Sequence, residues 1–279
     1  MTETAFADFL RAKRSIDQFS LLARLPQFLA ATLPAKARVL ELGAGDGSGT
    51  RRLWADGVAA EGDFTLMDSS ETLLSRGLHR LSAEPLRGAR QLVAICSQLC
   101  DDPFPDGPWN LIVAQAVLDL FSLSEILPWI AAGIDAGTYC WFTINYDHMT
   151  RWLPALDPEL DQRIEAAYNR SMDERMRREK PSGDSRCGSR LFQELPAQGY
   201  GIIDAGASDW IVHPGKAAYP NDHAVFLHSM LQFHRESLTG RSEVSTRELD
   251  SWLHERTCQI EAGIATLLVH NYDVLAVKV

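Results

Sequence analysis

Apolar positions fall into two kinds of run along this chain. From about Phe6 to Leu33, Ile16, Phe19, Leu22, Leu25, Phe28 and Leu29 recur at three- and four-residue steps. That spacing predicts one long helix, ended by Pro34. Short continuous apolar runs follow: Arg38–Leu42, Asp63–Asp68, Gln91–Cys96, Trp109–Ala114 and Tyr139–Ile144. Helical stretches at Thr50–Asp56, Ser70–Leu81 (capped by Ser69 or Ser70) and Ser124–Ala132 separate most of them. Strands that are apolar throughout and alternate with helices indicate a parallel sheet covered on both faces.

After Tyr146 the regularity loosens. Asp157 and Pro158 supply an N-cap and first-turn proline for a helix expected to reach Lys180. Its thirteen charges, seven acidic and six basic, read as pairs along a solvated face. A breaker-rich loop (Pro181–Gly188) and a helix (Ser189–Gln198) lead to a sixth strand within Tyr200–Val212. Helices at Asn221–Leu238 and Val244–Ala262 precede a closing strand, Ala265–Val279. The expected fold class is α/β: a doubly wound, mostly parallel, seven-stranded sheet in a single domain. Extra helical cover segments fall at 1–34, 146–190 and 219–263.

Composition narrows the functional classes. The 279 residues carry a formal charge of −10, which disfavours a nucleic-acid partner or an anionic membrane surface. No apolar run reaches the roughly 18 residues of a membrane span, and the start of the chain lacks the layout of a secretory signal. The five cysteines are scattered and form neither a disulfide framework nor a zinc spacing, so a reducing, cytoplasmic location is expected.

The informative segment is Glu41-Leu-Gly-Ala-Gly-Asp-Gly47. A strand that runs into Gly43, Gly45 and Gly47 turns sharply and leaves no side chain to hold a ligand away. The next helix then offers its unpaired N–H groups. The spacing is not the G-x-G-x-x-G of dinucleotide folds, because Ser48 or Thr50 stands where a third glycine is needed. An acid, Glu41, precedes the glycines; it would repel a pyrophosphate and attract an ammonium or sulfonium group. Asp68, at the end of the second strand, is placed to accept both hydroxyls of a ribose.

These residues resemble the first motif and the ribose-binding acid of the class I, Rossmann-like methyltransferases that use S-adenosylmethionine. Phe104–Ala114 is similar to the approach to that family's fourth strand, and the resemblance covers about residues 15 to 145. It implies S-adenosylmethionine as cofactor, with Glu41 and Gly43 near its methionine portion and Asp68 at the ribose; Ala44, Gly45, Gly47 and Ser69 are the further cofactor-binding residues of the same turns. Ser97 and Gln98 would flank adenine, where many members carry an acid; Asp101 is the alternative. Gln115 opens the stretch Gln115–Asp119 that passes beside the sulfonium.

Methyl transfer needs alignment of acceptor and methyl first, and a base only where the acceptor must lose a proton. Asp119, Tyr146, Asp147 and His148 follow strands four and five, the edge where such folds place substrate. Asp119 could equally cap the helix near Ser122. Trp152, Tyr168, Trp210, Tyr219 and Phe226 are candidate walls for a planar substrate. His223, His228 and His234 are not spaced as a metal site. The expected activity is O- or N-methylation of a small-molecule acceptor, with a homodimer left open. A protein or RNA methyltransferase and a non-catalytic cofactor binder remain as alternatives.

Overall fold

The computed structural model describes residues 3–83, 91–216 and 218–279. In chain order the first elements are α1 (Glu3–Ser20), α2 (Arg24–Thr32), β1 (Arg38–Leu42), α3 (Ser48–Ala55), β2 (Asp63–Asp68) and α4 (Glu71–Ser82). Next come β3 (Leu92–Cys96), β4 (Leu111–Gln115), α5 (Leu123–Ala132), β5 (Tyr139–Leu153), α6 (Pro158–Asp173), β6 (Met176–Arg177) and β7 (Lys180–Pro181). The last are α7 (Cys187–Ala197), β8 (Tyr200–Ala207), β9 (Trp210–Val212), α8 (His223–Leu238), α9 (Thr246–Glu261) and β10 (Thr266–Lys278).

Two compact units result. One contains Leu21–Asn145, Arg186–Ser208 and Tyr272–Val279. Its sheet runs β3-β2-β1-β4-β5-β10-β8, with the first five strands parallel. β10 is antiparallel to β8. It also runs against β5, since Lys278 bonds Thr138 while Tyr272 accepts from Asn145. Alternate residues of the central strands feed two separate cores. Val39, Leu111, Val113, Trp141 and Leu275 meet α2, α3 and α4 through Leu25, Leu29, Leu53, Leu74 and Leu81. Leu40, Ile112, Ala114, Phe142 and Val274 meet α5 and α7 through Ile126, Leu127, Leu191 and Leu195. Burial on both faces is why these strands read as continuous apolar runs.

The second unit holds the chain up to Ser20, Tyr146–Ser185 and Asp209–Asn271. Aromatic side chains dominate its interior: Phe9 packs on Phe226 and Phe233, and Trp210 meets Phe226 edge-on. Within it, β9 pairs antiparallel with the first part of β10, an eighth strand beyond the seven expected.

Three further expectations need correction. The single N-terminal helix is two, broken at Leu21–Ala23, where the Leu22 N–H donates to the buried Asp273 carboxylate. The helix expected to reach Lys180 stops at Asp173, and a two-residue hairpin turns at Arg178 and Glu179, both at positive φ. Its charged residues are good helix formers, so composition could not mark the stop. Strand five does not end at Ile144 but continues to Leu153. Over that extension Thr150 and Trp152 point inward while Arg151 and Leu153 are exposed, a period of two. Among the described residues no helix is long and apolar enough to cross a membrane.

Candidate functional site

β1 delivers Glu41 to the carboxyl end of the parallel sheet, and the chain then turns through Gly43, Gly45 and Gly47, all at positive φ. At Gly43 the turn requires glycine twice over. Its φ is +62°, and a β-carbon would lie 2.4 Å from Val117 Cγ2. Ala44 N–H donates to Met67 O, and Gly47, the residue before α3, donates to Ala44 O. The next glycine, Gly49, is equally constrained, although the sequence reading gave it no role. A β-carbon there would fall 2.2 Å from Glu41 Oε1 and 3.4 Å from Gln115 Oε1, so Glu41 and Gln115 converge on the first turn of α3. Gly49→Ala is expected to push the Glu41 carboxylate off Thr50 and cost about 1–3 kcal/mol, the usual penalty for overpacking. Thermal unfolding checks this, and an unchanged midpoint would show that the carboxylate has room to move.

Glu41 is the electrostatic centre of the turn. Only 3% exposed, it accepts the Thr50 N–H at 2.9 Å and the Thr50 hydroxyl at 2.5 Å. Burial raises its pKa to about 7, against the lowering effect of the Thr50 bonds, and the nearby Asp46 and Asp68 carboxylates add to the rise. Among the described residues no cation pairs with it.

Asp68 closes the turn from β2. One carboxylate oxygen accepts the Gly45 N–H at 2.8 Å and the other the Ser70 N–H at 2.9 Å. Ser70, not Ser69, caps α4 by accepting from Leu73 N–H. Ser69 is exposed, and its carbonyl faces Cys96 Sγ. Asp46 is held by Arg80 of α4, whose guanidinium reaches both its carboxylate and its carbonyl oxygen. After β3, Asp102 accepts the Ser97 hydroxyl at 2.7 Å and the Gln98 N–H at 2.8 Å. Asp102, which the sequence reading passed over in favour of Asp101, therefore shapes this loop. Gln98 itself is exposed.

The register sets Leu42 beside Met67 and Ala114, Asp68 beside Cys96, and Gln115 beside Thr143. The structure thus brings Glu41, the glycine turn, Asp68, Ser69, Ser97, Gln98 and Gln115 to the ends of four adjacent parallel strands. Asp119 lies just beyond, half-buried in a 3-10 turn (Leu118–Leu120). It does not cap α5; the residue before that helix is Ser122.

Tyr146, Asp147 and His148 belong to the other unit, and they stand on β5 instead of in a loop. Tyr146 is buried, donating to Asn169 Oδ1 at 2.6 Å and accepting from Thr150 Oγ1 at 3.0 Å. Asn169 in turn donates to His148 O. These bonds make Tyr146 part of a packed polar network. His148 has a positive φ of 62° and an exposed ring whose Nδ1 lies 3.2 Å from Ser185 Oγ. Ser185 donates both its N–H and its hydroxyl to Asp173. Nothing in the sequence marks Ser185 and Asp173 as partners of His148, because they are brought in from separate segments.

Of the five aromatics, Trp152 and Tyr168 come together around His234. Trp210 instead donates to Asp17, and Tyr219 to Ala265 O. Phe226 is core.

No protein-family model and no curated protein matches the chain. Solved structures do. A Bacillus halodurans protein, provisionally assigned as a methyltransferase, superposes with TM-score 0.55 at 12% identity, covering 92% of this chain and 98% of that one. A SAM-dependent methyltransferase from Methanosarcina mazei gives TM-score 0.53 at 10% identity, with 90% and 97% covered. The YcgJ protein of Bacillus subtilis gives 0.51 at 13% identity, with 92% and 97% covered. With the parallel five-strand order, the antiparallel β10 and the glycine turn after β1, these likenesses establish that the chain has the class I, Rossmann-like methyltransferase fold.

Proposed function

We propose that this protein is an S-adenosylmethionine-dependent methyltransferase that methylates oxygen or nitrogen of a small-molecule acceptor in the cytoplasm. The observation that carries the reading is Glu41: a buried carboxylate without a cationic partner among the described residues, set behind a glycine turn that side chains would fill. That donor set fits a ligand bearing ammonium and sulfonium groups. A pyrophosphate would meet the Glu41 and Asp68 carboxylates, and of the three acids at the turn Asp46 alone has a cation, Arg80, bonded to it among the described residues.

When bound, S-adenosylmethionine supplies an electrophilic methyl on sulfur for in-line displacement. The chain's part is to hold and to orient. Glu41 supplies the negative charge, and Asp68 keeps lone pairs for ribose hydroxyls while it fixes Gly45 and Ser70. Among Asp119, Tyr146, Asp147 and His148, we assign any proton-accepting role to His148. Its ring is exposed and steered by Ser185 and Asp173, whereas the Tyr146 hydroxyl is committed to Asn169. A formal charge of −10 disfavours RNA as acceptor.

Calorimetric titration with S-adenosylhomocysteine tests the reading. Wild type is expected to bind, and Asp68→Ala to bind at least about tenfold more weakly, the loss of one charge-assisted bond pair. No binding by folded wild type, or equal binding by the variant, would overturn it.

A further inference from the structure

A cavity of about 360 Å³ lies wholly within the unit that carries α6, α8 and α9, lined among others by Trp152, Gln162, Ile164, Glu165, His234 and Trp252. That volume falls in the range of small-molecule sites. Its walls carry two unspent polar atoms of opposite kind.

His234 is 1% exposed. Its ring stacks on Tyr168 at 4.2 Å and lies 5.5 Å from Trp252. Nδ1 sits 2.7 Å from Met230 O, a contact that requires the proton on Nδ1. Burial drives the imidazole pKa down to about 4, and Arg256 pushes the same way. The ring is therefore neutral, and Nε2 presents a lone pair with no protein donor among the described residues. Trp152, whose ring centre is 6.2 Å from that of His234, has a buried indole N–H with no acceptor. Buried polar groups left unpaired are rare and costly; the Trp152 N–H is one, and the lone pair of His234 Nε2 stands on the neighbouring ring that lines the same cavity.

We infer that this cavity is a binding site for a small planar aromatic molecule carrying a hydroxyl, a phenol in the simplest case. The hydroxyl donates to His234 Nε2 and accepts from Trp152 Nε1, and the ring packs among Trp152, Trp252 and Ile164. A cationic guest is disfavoured because the carboxylates nearby are already engaged. Asp161 accepts from Arg256, Trp252 and the Leu156 N–H. Glu165 accepts from Thr150 N–H and lies 3.7 Å from Arg151.

Ligand-observed NMR on the full chain without cofactor tests this with phenol, 2-naphthol, toluene and tetramethylammonium. Phenol and 2-naphthol are expected to bind saturably, with phenol at least about tenfold tighter than toluene, since a site with unpaired polar groups rejects the isostere that cannot meet them. The His234 Nε2 nitrogen resonance should shift on phenol binding. His234→Phe keeps a ring and should bring phenol and toluene level. Gln162→Trp, at an exposed lining position, should block both phenols while leaving the thermal midpoint unchanged; it serves if the His234 variant does not fold. Four results would overturn the site: equal phenol and toluene binding by wild type, tighter tetramethylammonium binding, phenol binding that survives Gln162→Trp, or no saturable binding, which would leave the two polar atoms to water. Binding of S-adenosylhomocysteine with no phenol binding would refute this site alone and leave the methyl-transfer reading intact.

Discussion

Glu41→Gln is expected to make the ligand-free protein more stable than wild type above neutral pH, by about 3–4 kcal/mol. The buried carboxyl titrates at about 7 in the folded chain, against about 4.3 when unfolded. Between those values the unfolded chain has released a proton that the folded chain still holds, so stability falls as pH rises. Below the lower value the glutamate contributes no penalty; above the upper one the whole penalty applies. The gap of about 2.7 between the two values, at about 1.4 kcal/mol for each, gives the figure. Denaturant unfolding of both proteins at pH 4.5, 6 and 7.5 should show a gap that opens with pH. Two parallel profiles would show that the folded site does not raise this carboxyl. The same substitution should weaken S-adenosylmethionine at pH 8 by at least about tenfold, since a carboxylate that faces a cation in a poorly solvated site is replaced by a neutral amide. A site that is costly when empty and favourable when filled couples folding to its ligand.

The half of the chain that folds around the glycine turn was readable because its signals are local. Val39, Leu40, Ile112 and Val113 are each buried on one face or the other, and that leaves a continuous apolar run in the sequence. Ser70 caps α4 by a bond three residues away, which a short motif encodes. What stayed hidden depends on partners distant in sequence. Gly49 is defined by the Glu41 and Gln115 side chains, and β5 runs past Ile144 while the Ile144 N–H donates to Asp273 from the far end of the chain. The β5 extension left no trace of its alternation, since Thr150 and Arg151 are both polar and Trp152 and Leu153 both apolar, and Tyr146–His148 reads as a polar loop. The β6–β7 hairpin left none, because Arg178 and Glu179 adopt positive φ without the glycine or asparagine that normally announces it. The cofactor-side candidates therefore converge as a motif would, whereas Tyr146 and His148 acquire partners, Asn169 and Ser185, that only the fold reveals.

The largest loss of stability is expected from Arg256, which is fully buried. Its guanidinium donates to Pro154 O, Gln259 Oε1 and Asp161 Oδ1, each at 2.7 Å, and lies 5.2 Å from the Trp252 ring centre. Asp161 uses the same oxygen to accept the Trp252 indole N–H. Arg256→Met fills much of the volume yet leaves Asp161 without its cation, and breaking a buried pair from one side costs about 3–5 kcal/mol. Thermal unfolding should fall by roughly 10 °C for a chain of this size. Adding Asp161→Asn should restore most of the loss, because the amide still accepts from Trp252 and no charge is left uncompensated. His234 should also titrate nearer the ordinary histidine range in Arg256→Met, since one of the two influences that hold it down is gone while burial remains. If the double variant is no more stable than Arg256→Met, the arginine acts through packing against Trp252 and its bonds to Pro154 and Gln259, and not through its charge on Asp161.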